Sequence, residues 1–541
     1  MTALFDEAVA EFADCHCVNF RGRRYRYKEI ATLVDRAAKG FQQLGVQKGI
    51  KVGLMLPNSP YAVVCFYAVL KAGGTVVNIN PLYAEAGIAR LVSDANVRIL
   101  VTLNVKPLYR KAVPLLDVSQ QIEKLVVCSM AGILPFLEKA LFTLFKRHEV
   151  SNIPDDENHL SFEKMIANDG KPEAVEIDAK RDVAVLQYTG GTTGIPKGAR
   201  LTHANLYANT AQTAMWGTAL NRGEEKILGV LPLFHAFGMT AAMNLNLAIG
   251  AELILQPHFK PAEVLKAIAR ERATVFIGVP TMYSALNAAQ KKNTYDLSSL
   301  RFCISGGAPL PAKVQRDFTE ASGCALLEGY GLSETAPVCT VNPVTGVNKI
   351  GSVGLPLPAT IIEIVSLDNP NRFLPRGERG EICITGPQVM DGYANRAQDN
   401  KDAFRGRRLR TGDVGYLDED GYLFIVDRIK ELILSGGFNV YPRMVEDAIH
   451  LHEAVEEVAV CGIADMHRGE TVKAFVHLRE DQALTAVELR AFLKDKLAPF
   501  EMPRQVEFRE TLPKTLIGKI DKRALVADES GGVELSETRP T

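Results

Sequence analysis

Short apolar runs alternate with longer stretches of helical spacing over most of the chain. Lys51–Leu56 reads as a strand and precedes a helical pattern over Tyr61–Ala72, while Arg98–Thr102 is a second run that follows a helical stretch. Val275–Pro280 and Phe302–Ser305 repeat the theme. Strand–helix alternation of this kind predicts parallel sheets covered by helices. From about 348 to 427 the texture changes to short strands between Gly/Pro turns: Thr360–Val365, Gly380–Thr385 and Leu423–Val426. After Asp427 a compact segment begins, with a helix over Val445–His450 and a strand over Val455–Ile463. The polar tail from Glu529 has too little apolar content to pack and is expected to be disordered.

One amphipathic stretch stands apart. Over Ile133–Arg147, a pitch of about 100° per residue puts Ile133, Leu134, Leu137, Leu141, Leu144 and Phe145 on one face. Glu138, Lys139, Thr143, Lys146 and Arg147 share the other, and Phe136 and Phe142 fall off the apolar face. Two readings stay open: a helix packed on the N-terminal domain, or weak peripheral contact with a membrane interface.

Length and charge narrow the class. A chain of 541 residues is too long for one core. Lys+Arg 62 against Asp+Glu 63 gives a net charge of -1, so no nucleic-acid partner is expected. The nine cysteines show no framework spacing, and Cys15-His16-Cys17 lacks the second ligand pair of a zinc site. Without a leader pattern or a long apolar run, a cytoplasmic protein is expected, with the inner face of a membrane open as a peripheral location.

The strongest chemical signal is Tyr188-Thr189-Gly190-Gly191-Thr192-Thr193-Gly194-Ile195-Pro196-Lys197-Gly198. Placed after the apolar run Val183–Leu186, such a loop offers backbone N–H groups, hydroxyls and one ammonium to phosphate oxygens. It is not a Walker A loop, since Lys197 follows Pro196 and precedes Gly198. Taken singly, Glu334 and Lys519 would read as solvated charges, His235 as a core histidine, and Asp413 and Arg428 as a surface ion pair.

The loop and the motifs that follow it, in order, resemble the adenylate-forming superfamily of acyl-CoA synthetases, luciferases and adenylation domains. These are Pro232–Gly238, Ser305–Pro309, Glu328–Thr335, Gly380–Pro387, Thr411–Asp413, Asp427–Lys430, Ser435–Pro442 and Pro513–Lys519. The chain is most similar to bacterial medium- or long-chain fatty acyl-CoA ligases. The resemblance implies an α/β fold, with a large N-terminal domain of two parallel-type α/β subdomains and a small β-rich subdomain. A small mobile α+β C-terminal domain would follow. The domains expected are 1–428, with its β-rich part at about 348–427, then 429–528 and a tail at 529–541.

The resemblance also implies ATP, Mg²⁺, coenzyme A and a fatty acid as cofactors and substrates. Thr189, Gly190, Gly191, Thr192, Thr193, Gly194 and Lys197 would hold phosphates. Gly307, Ala308, Pro309 and Tyr330 would hold adenine, with Glu328, Gly329, Gly331 and Thr335 in the same cofactor-binding segments. Asp413 and Arg428 would grip the ribose. Glu334 and Thr189 would hold magnesium, and Lys519, Glu334, His235 and Thr189 would serve catalysis. Lys430 would be the hinge, with Ser435, Gly436 and Gly437 on the coenzyme A side. Two departures are visible: Gly406-Arg407-Arg408 stands before Leu409 where relatives carry Asp-Gly-aromatic, and Ala394 follows Tyr393 where many have Trp. A fatty acyl-AMP ligase, another carboxylate–CoA ligase, a silent fatty-acid-binding homologue and a homodimer stay open. The helix after His203 (Leu206, Ala208, Ala211, Ala214, Met215, Trp216), with Phe234, Met239 and Met282, is the expected lining of an acyl tunnel.

Overall fold

Burial of the strands on both faces organises the molecule. Thr75–Asn78, Glu252–Leu255, Val275–Gly278 and Phe302–Ser305 are buried at every position, as the central strands of helix-covered parallel sheets must be. The structure is a computed structural model that describes residues 1–118, 121–189, 196–435, 438–465, 469–514 and 520–530.

Among the described residues the strands form four sheets. The first has seven, in the order His159–Ser161, Lys124–Cys128, Val97–Leu103, Lys51–Met55, Thr75–Asn78, Val183–Thr189, Lys197–Thr202. Only its last pairing is antiparallel. The second has nine, with a parallel centre of Leu326–Gly331, Phe302–Ser305, Val275–Gly278, Lys226–Gly229, Glu252–Leu255 and His16–Phe20. Antiparallel strands close both of its edges. The helix Pro60–Lys71 begins at Ser59, whose hydroxyl accepts from the Ala62 N–H, and Pro60 supplies the preset first turn. It is buried from Pro60 through Leu70, so its apolar residues surround it instead of forming a stripe.

A third sheet of short strands comprises Ile361–Val365, Gly380–Thr385, Phe404–Arg405, Arg408–Leu417 and Leu423–Arg428. The fourth pairs Ile433–Ser435, Phe438–Val440, Val455–Asp465, Gly469–Leu478 and Gln505–Phe508. Helices Pro442–His450 and Ala486–Leu493 contribute Val445, Ile449, Leu489 and Leu493 to its core. The fold is therefore the mixed α/β class that the alternation predicts. Two compact units divide the chain: residues 1–362 with 384–409, and 363–383 with the described residues from 410 onward. No described helix is long and apolar enough to cross a membrane.

The stretch 133–147 departs from the expected single helix. Pro135 interrupts it, leaving Met130–Ile133 and Phe136–Phe145, because proline cannot donate into a continuing helix. Ile133 and Leu134 are buried, but Leu137, Leu141, Leu144 and Phe145 are exposed, as is Phe136. Phe142, expected to be partly exposed, is half-buried and packs on the core. A helix seated on the domain through its apolar stripe is thus overturned.

Candidate active site

In open parallel sheets the carboxyl ends of strands leave loops around a crevice, and most of the expected site residues of the first unit lie on such loops. Residues 190–195 follow the end of Val183–Thr189 in the chain. The segments 230–238, 306–311 and 332–335 leave the ends of Lys226–Gly229, Phe302–Ser305 and Leu326–Gly331. Gly190, Gly191, Thr192, Thr193 and Gly194 lie outside the described residues. Their flanks are set, because Thr189 pairs with Lys197 across the antiparallel ladder.

Lys197 and Glu334 meet on one tyrosine. The Lys197 ammonium is ion-paired with Asp399 and lies 5.4 Å from the centroid of the Tyr393 ring. The Tyr393 hydroxyl donates to Glu334 Oε1 at 2.7 Å. Burial, with Glu334 and Asp399 nearby, raises the phenol far above its ordinary range, so Tyr393 stays protonated and keeps a hydrogen to donate to Glu334. The Met390 N–H donates to the Glu334 carbonyl at 2.8 Å, anchoring the turn Ser333–Thr335 to the same segment. A cation and a carboxylate oxygen are therefore presented together at the strand pair Val183–Thr189 and Lys197–Thr202. This donor set fits magnesium, which takes one or two carboxylates and completes its shell with phosphate oxygens and water. Glu334 Oε2 has no partner among the described residues and is the oxygen suited to that role.

The loop after Lys226–Gly229 is held from behind. Asn58 donates to the Leu231 carbonyl at 2.9 Å and accepts from the Leu233 N–H at 2.8 Å. Gln187, next to Tyr188, donates to the Phe234 carbonyl at 3.1 Å and accepts from Asn78 at 3.0 Å. His235 is exposed, which removes the core-histidine reading. A side chain at Gly238 would sit 2.3 Å from the Pro232 carbonyl, so only glycine allows this turn. A buried π-helical turn, Gly238–Asn244, follows.

Gly307, Ala308 and Pro309 lie on the turn after Phe302–Ser305, and Glu328 braces it: its Oε1 accepts from the Leu310 N–H at 2.9 Å. Gly329 and Tyr330 are half-buried at the end of the neighbouring strand. Gly331 packs so closely that a Cβ would meet the Pro337 carbonyl at 1.8 Å. Thr335 is buried and its hydroxyl donates to the Pro337 carbonyl at 2.6 Å, so its side chain shapes the turn and does not face a ligand.

In the second unit Asp413 and Arg428 are cross-strand partners, joined at 3.1 Å, with Asp413 buried and Arg428 exposed. Thr411 accepts from the Asp413 N–H at 3.0 Å, and Glu381 pairs with Arg410 at 2.8 Å beside it. Lys430 is exposed on the turn Ile429–Glu431. Ser435 is buried, paired in register with Phe438 and Gly469. Gly436, Gly437 and Lys519 lie outside the described residues. The residues that flank 515–519 are described: Lys514 bridges Ile520, and the Asp521 N–H donates to the Pro513 carbonyl at 2.8 Å. Next to them Lys522 pairs with Glu446 at 2.8 Å and with Glu431 at 3.2 Å. Burial disfavours this ammonium, but Glu446 and Glu431 outweigh burial and raise its pKa.

Sequence reasoning missed Tyr393, Asp399, Gln187, Asn58, Glu381 and Lys522, which hold the motif residues in place. Only Tyr393 carried a signal, as the aromatic residue closing Met390-Asp391-Gly392. The expected tunnel lining separates. Leu206 and Met239 are core residues, whereas Ala211, Ala214 and Met215 line a cavity of about 250 Å³ with the first helix, Thr2–Phe12. The buried face of His203–Trp216 is largely polar (Asn209, Thr210, Gln212, Thr213).

The chain matches the AMP-binding enzyme family over residues 5–394 and the AMP-binding enzyme C-terminal domain over residues 444–519. It is 41% identical to a long-chain-fatty-acid–CoA ligase of Bacillus subtilis (strain 168), over 98% of this chain and 94% of that protein. It is 36% identical to a protein of the same name from Salmonella typhimurium, over 99% of this chain and 95% of that one. The fold matches the crystal structure of ATP-bound MatB from Rhodopseudomonas palustris with a TM-score of 0.85 at 28% identity, over 98% of this chain and 100% of that one.

Proposed function

This chain belongs to the AMP-binding enzyme family, and from that premise we propose that it is a long-chain fatty acyl-CoA ligase. ATP, the acid and coenzyme A give acyl-CoA, AMP and pyrophosphate through an acyl-adenylate. The observation that carries this reading is the meeting of Lys197 and Glu334 on Tyr393 at the strand pair Val183–Thr189 and Lys197–Thr202. The names of the relatives, alike in substrate and acceptor, favour fatty acid and coenzyme A.

In the first half-reaction a carboxylate oxygen bonds to the α-phosphorus while the bond to pyrophosphate breaks. Anion approaches anion, so the site's task is electrostatic. Thr189–Gly194 and Lys197 hold the phosphates, Gly307–Pro309, Gly329 and Tyr330 flank adenine, and Asp413 with Arg428 grips the ribose. Magnesium, held by Glu334 and Thr189, supplies positive charge against the phosphate oxygens when bound. Lys519 offsets the charge that develops in the attack, and His235 stands on the loop beside the carboxylate. In the second half-reaction the thiolate sulfur bonds to the acyl carbon and AMP leaves. Ser435–Gly437 border the coenzyme A path, with a turn of residues 429–528 about Lys430 between the steps and residues 1–428 carrying the adenylation site.

The test separates the half-reactions in Lys519→Ala. Formation of acyl-AMP from ATP and palmitate should fall by about 10²–10³, while conversion of supplied palmitoyl-AMP to palmitoyl-CoA should persist. Acyl-AMP accumulating in the parent protein with coenzyme A present and no thioester formed would overturn the choice of acceptor.

A further inference from the structure

The helix Phe136–Phe145 is amphipathic the wrong way round for a surface helix in water. Phe136, Leu137, Leu141, Leu144 and Phe145 are 84%, 75%, 57%, 73% and 66% exposed, and the helix has no buried residue. With about 100° per residue these side chains, with Ala140 among them, cover one continuous half of the surface. Phe142 and Glu138 turn toward the protein instead: Phe142 packs on the core and Glu138 pairs with Arg21 at 2.6 Å. Soluble proteins seldom leave such a patch uncovered without a use for it.

We propose that this helix is a docking surface for an anionic lipid bilayer, lying in the interface with its leucine face in the acyl region. Charge supports this occupant. Both acids of the segment are neutralised, Glu138 by Arg21 and Glu149 by Lys146. Lys139 on the helix and Arg147 just past its end are exposed and have no ion-pair partner among the described residues, so both are open to headgroup phosphates. Size argues against a second copy of the chain. Ten residues of helix present a footprint of roughly 15 by 10 Å, far below the about 800 Å² per partner that stable protein pairs bury. Pro135 and the buried Ile133 and Leu134 fix the helix to the domain, so it presents a rigid face.

The test is co-sedimentation of the full chain with phosphatidylcholine vesicles, with and without phosphatidylglycerol, for the parent and for L137E/L144E. No substrate is present, so the result is independent of the ligase reading. The parent is expected to bind, more tightly with phosphatidylglycerol, and the double variant to bind about tenfold or more weakly. The variant's melting temperature, and its rate with albumin-borne palmitate, are expected to match the parent's. K139E/R147E should lose the phosphatidylglycerol preference. Equal vesicle binding by parent and L137E/L144E would overturn the proposal. So would a parent dimer that the same variant converts to monomer, which would assign the face to a second copy.

Discussion

Tyr393 is 59 residues from Glu334 in the chain, yet it determines where that carboxylate points. Hydrogen bonds to charged groups contribute about 1.5–3 kcal/mol, so Tyr393→Phe is expected to lower kcat/KM for ATP by about tenfold, with the melting temperature nearly unchanged. Steady-state kinetics of pyrophosphate release reads this, and an unaltered kcat/KM would remove Tyr393 from the site. His203 makes a different residue-scale case. It starts the helix His203–Trp216, is buried, and its Nδ1 has no partner. Burial chiefly, with the N-terminal ammonium and Lys48 adding and Asp182 opposing, lowers its pKa from 6.5 to about 4. The folded state therefore favours the neutral ring. That contribution is fully present above pH 6.5 and is lost as pH falls toward 4, on the order of 3 kcal/mol. His203→Gln should accordingly lose less melting temperature than the parent between pH 6.5 and 4, as followed by calorimetry.

At the scale of elements, Asp427 closes the strand Leu423–Arg428 with its carboxylate accepting the backbone N–H groups of Arg428 and Arg443, each at 2.8 Å. Burial outweighs those bonds and pushes its pKa up to about 6. A raised acid means that the folded state holds the proton more tightly, so this group's contribution is present below about pH 4 and lost as pH rises through 6. Asp427→Asn, which keeps an acceptor oxygen, should gain melting temperature relative to the parent over that window. Lys522 joins the turn Ile429–Glu431 and the helix Pro442–His450 to the residues that flank 515–519. Lys522→Met would strand two carboxylates in a partly buried site. It is expected to slow acyl-AMP formation more than thioester formation from supplied acyl-AMP, since only the former needs Lys519 aligned. Equal slowing of both would make Lys522 a general stability element. The elements themselves were largely legible. Gly380–Thr385 and Phe302–Ser305 form the strands expected, and Pro60–Lys71 and Pro442–His450 cover the expected helices. The exception was the stretch 133–147. Its periodicity was correctly read as amphipathic, but periodicity carries no sign, and the apolar half faces outward.

Across the whole molecule, local chemistry and long-range placement separate cleanly. The sequence by itself determined the α/β class and the motifs whose chemistry is local. A glycine- and threonine-rich segment offers backbone N–H groups and hydroxyls to phosphate wherever it is placed. Only the tertiary structure decided which side chains support those motifs. Asp399 lies 202 residues from Lys197, Asn58 175 from Leu233, and Gln187 47 from Phe234, with no shared spacing to announce them. It also decided that Glu328 Oε1 and the Thr335 hydroxyl, on residues read as ligand contacts, bond to backbone groups, and that Ser435 is buried within its sheet. The physical reason is that spacing along a chain sets which face a residue shares. What that face meets is set by packing among segments far apart in sequence.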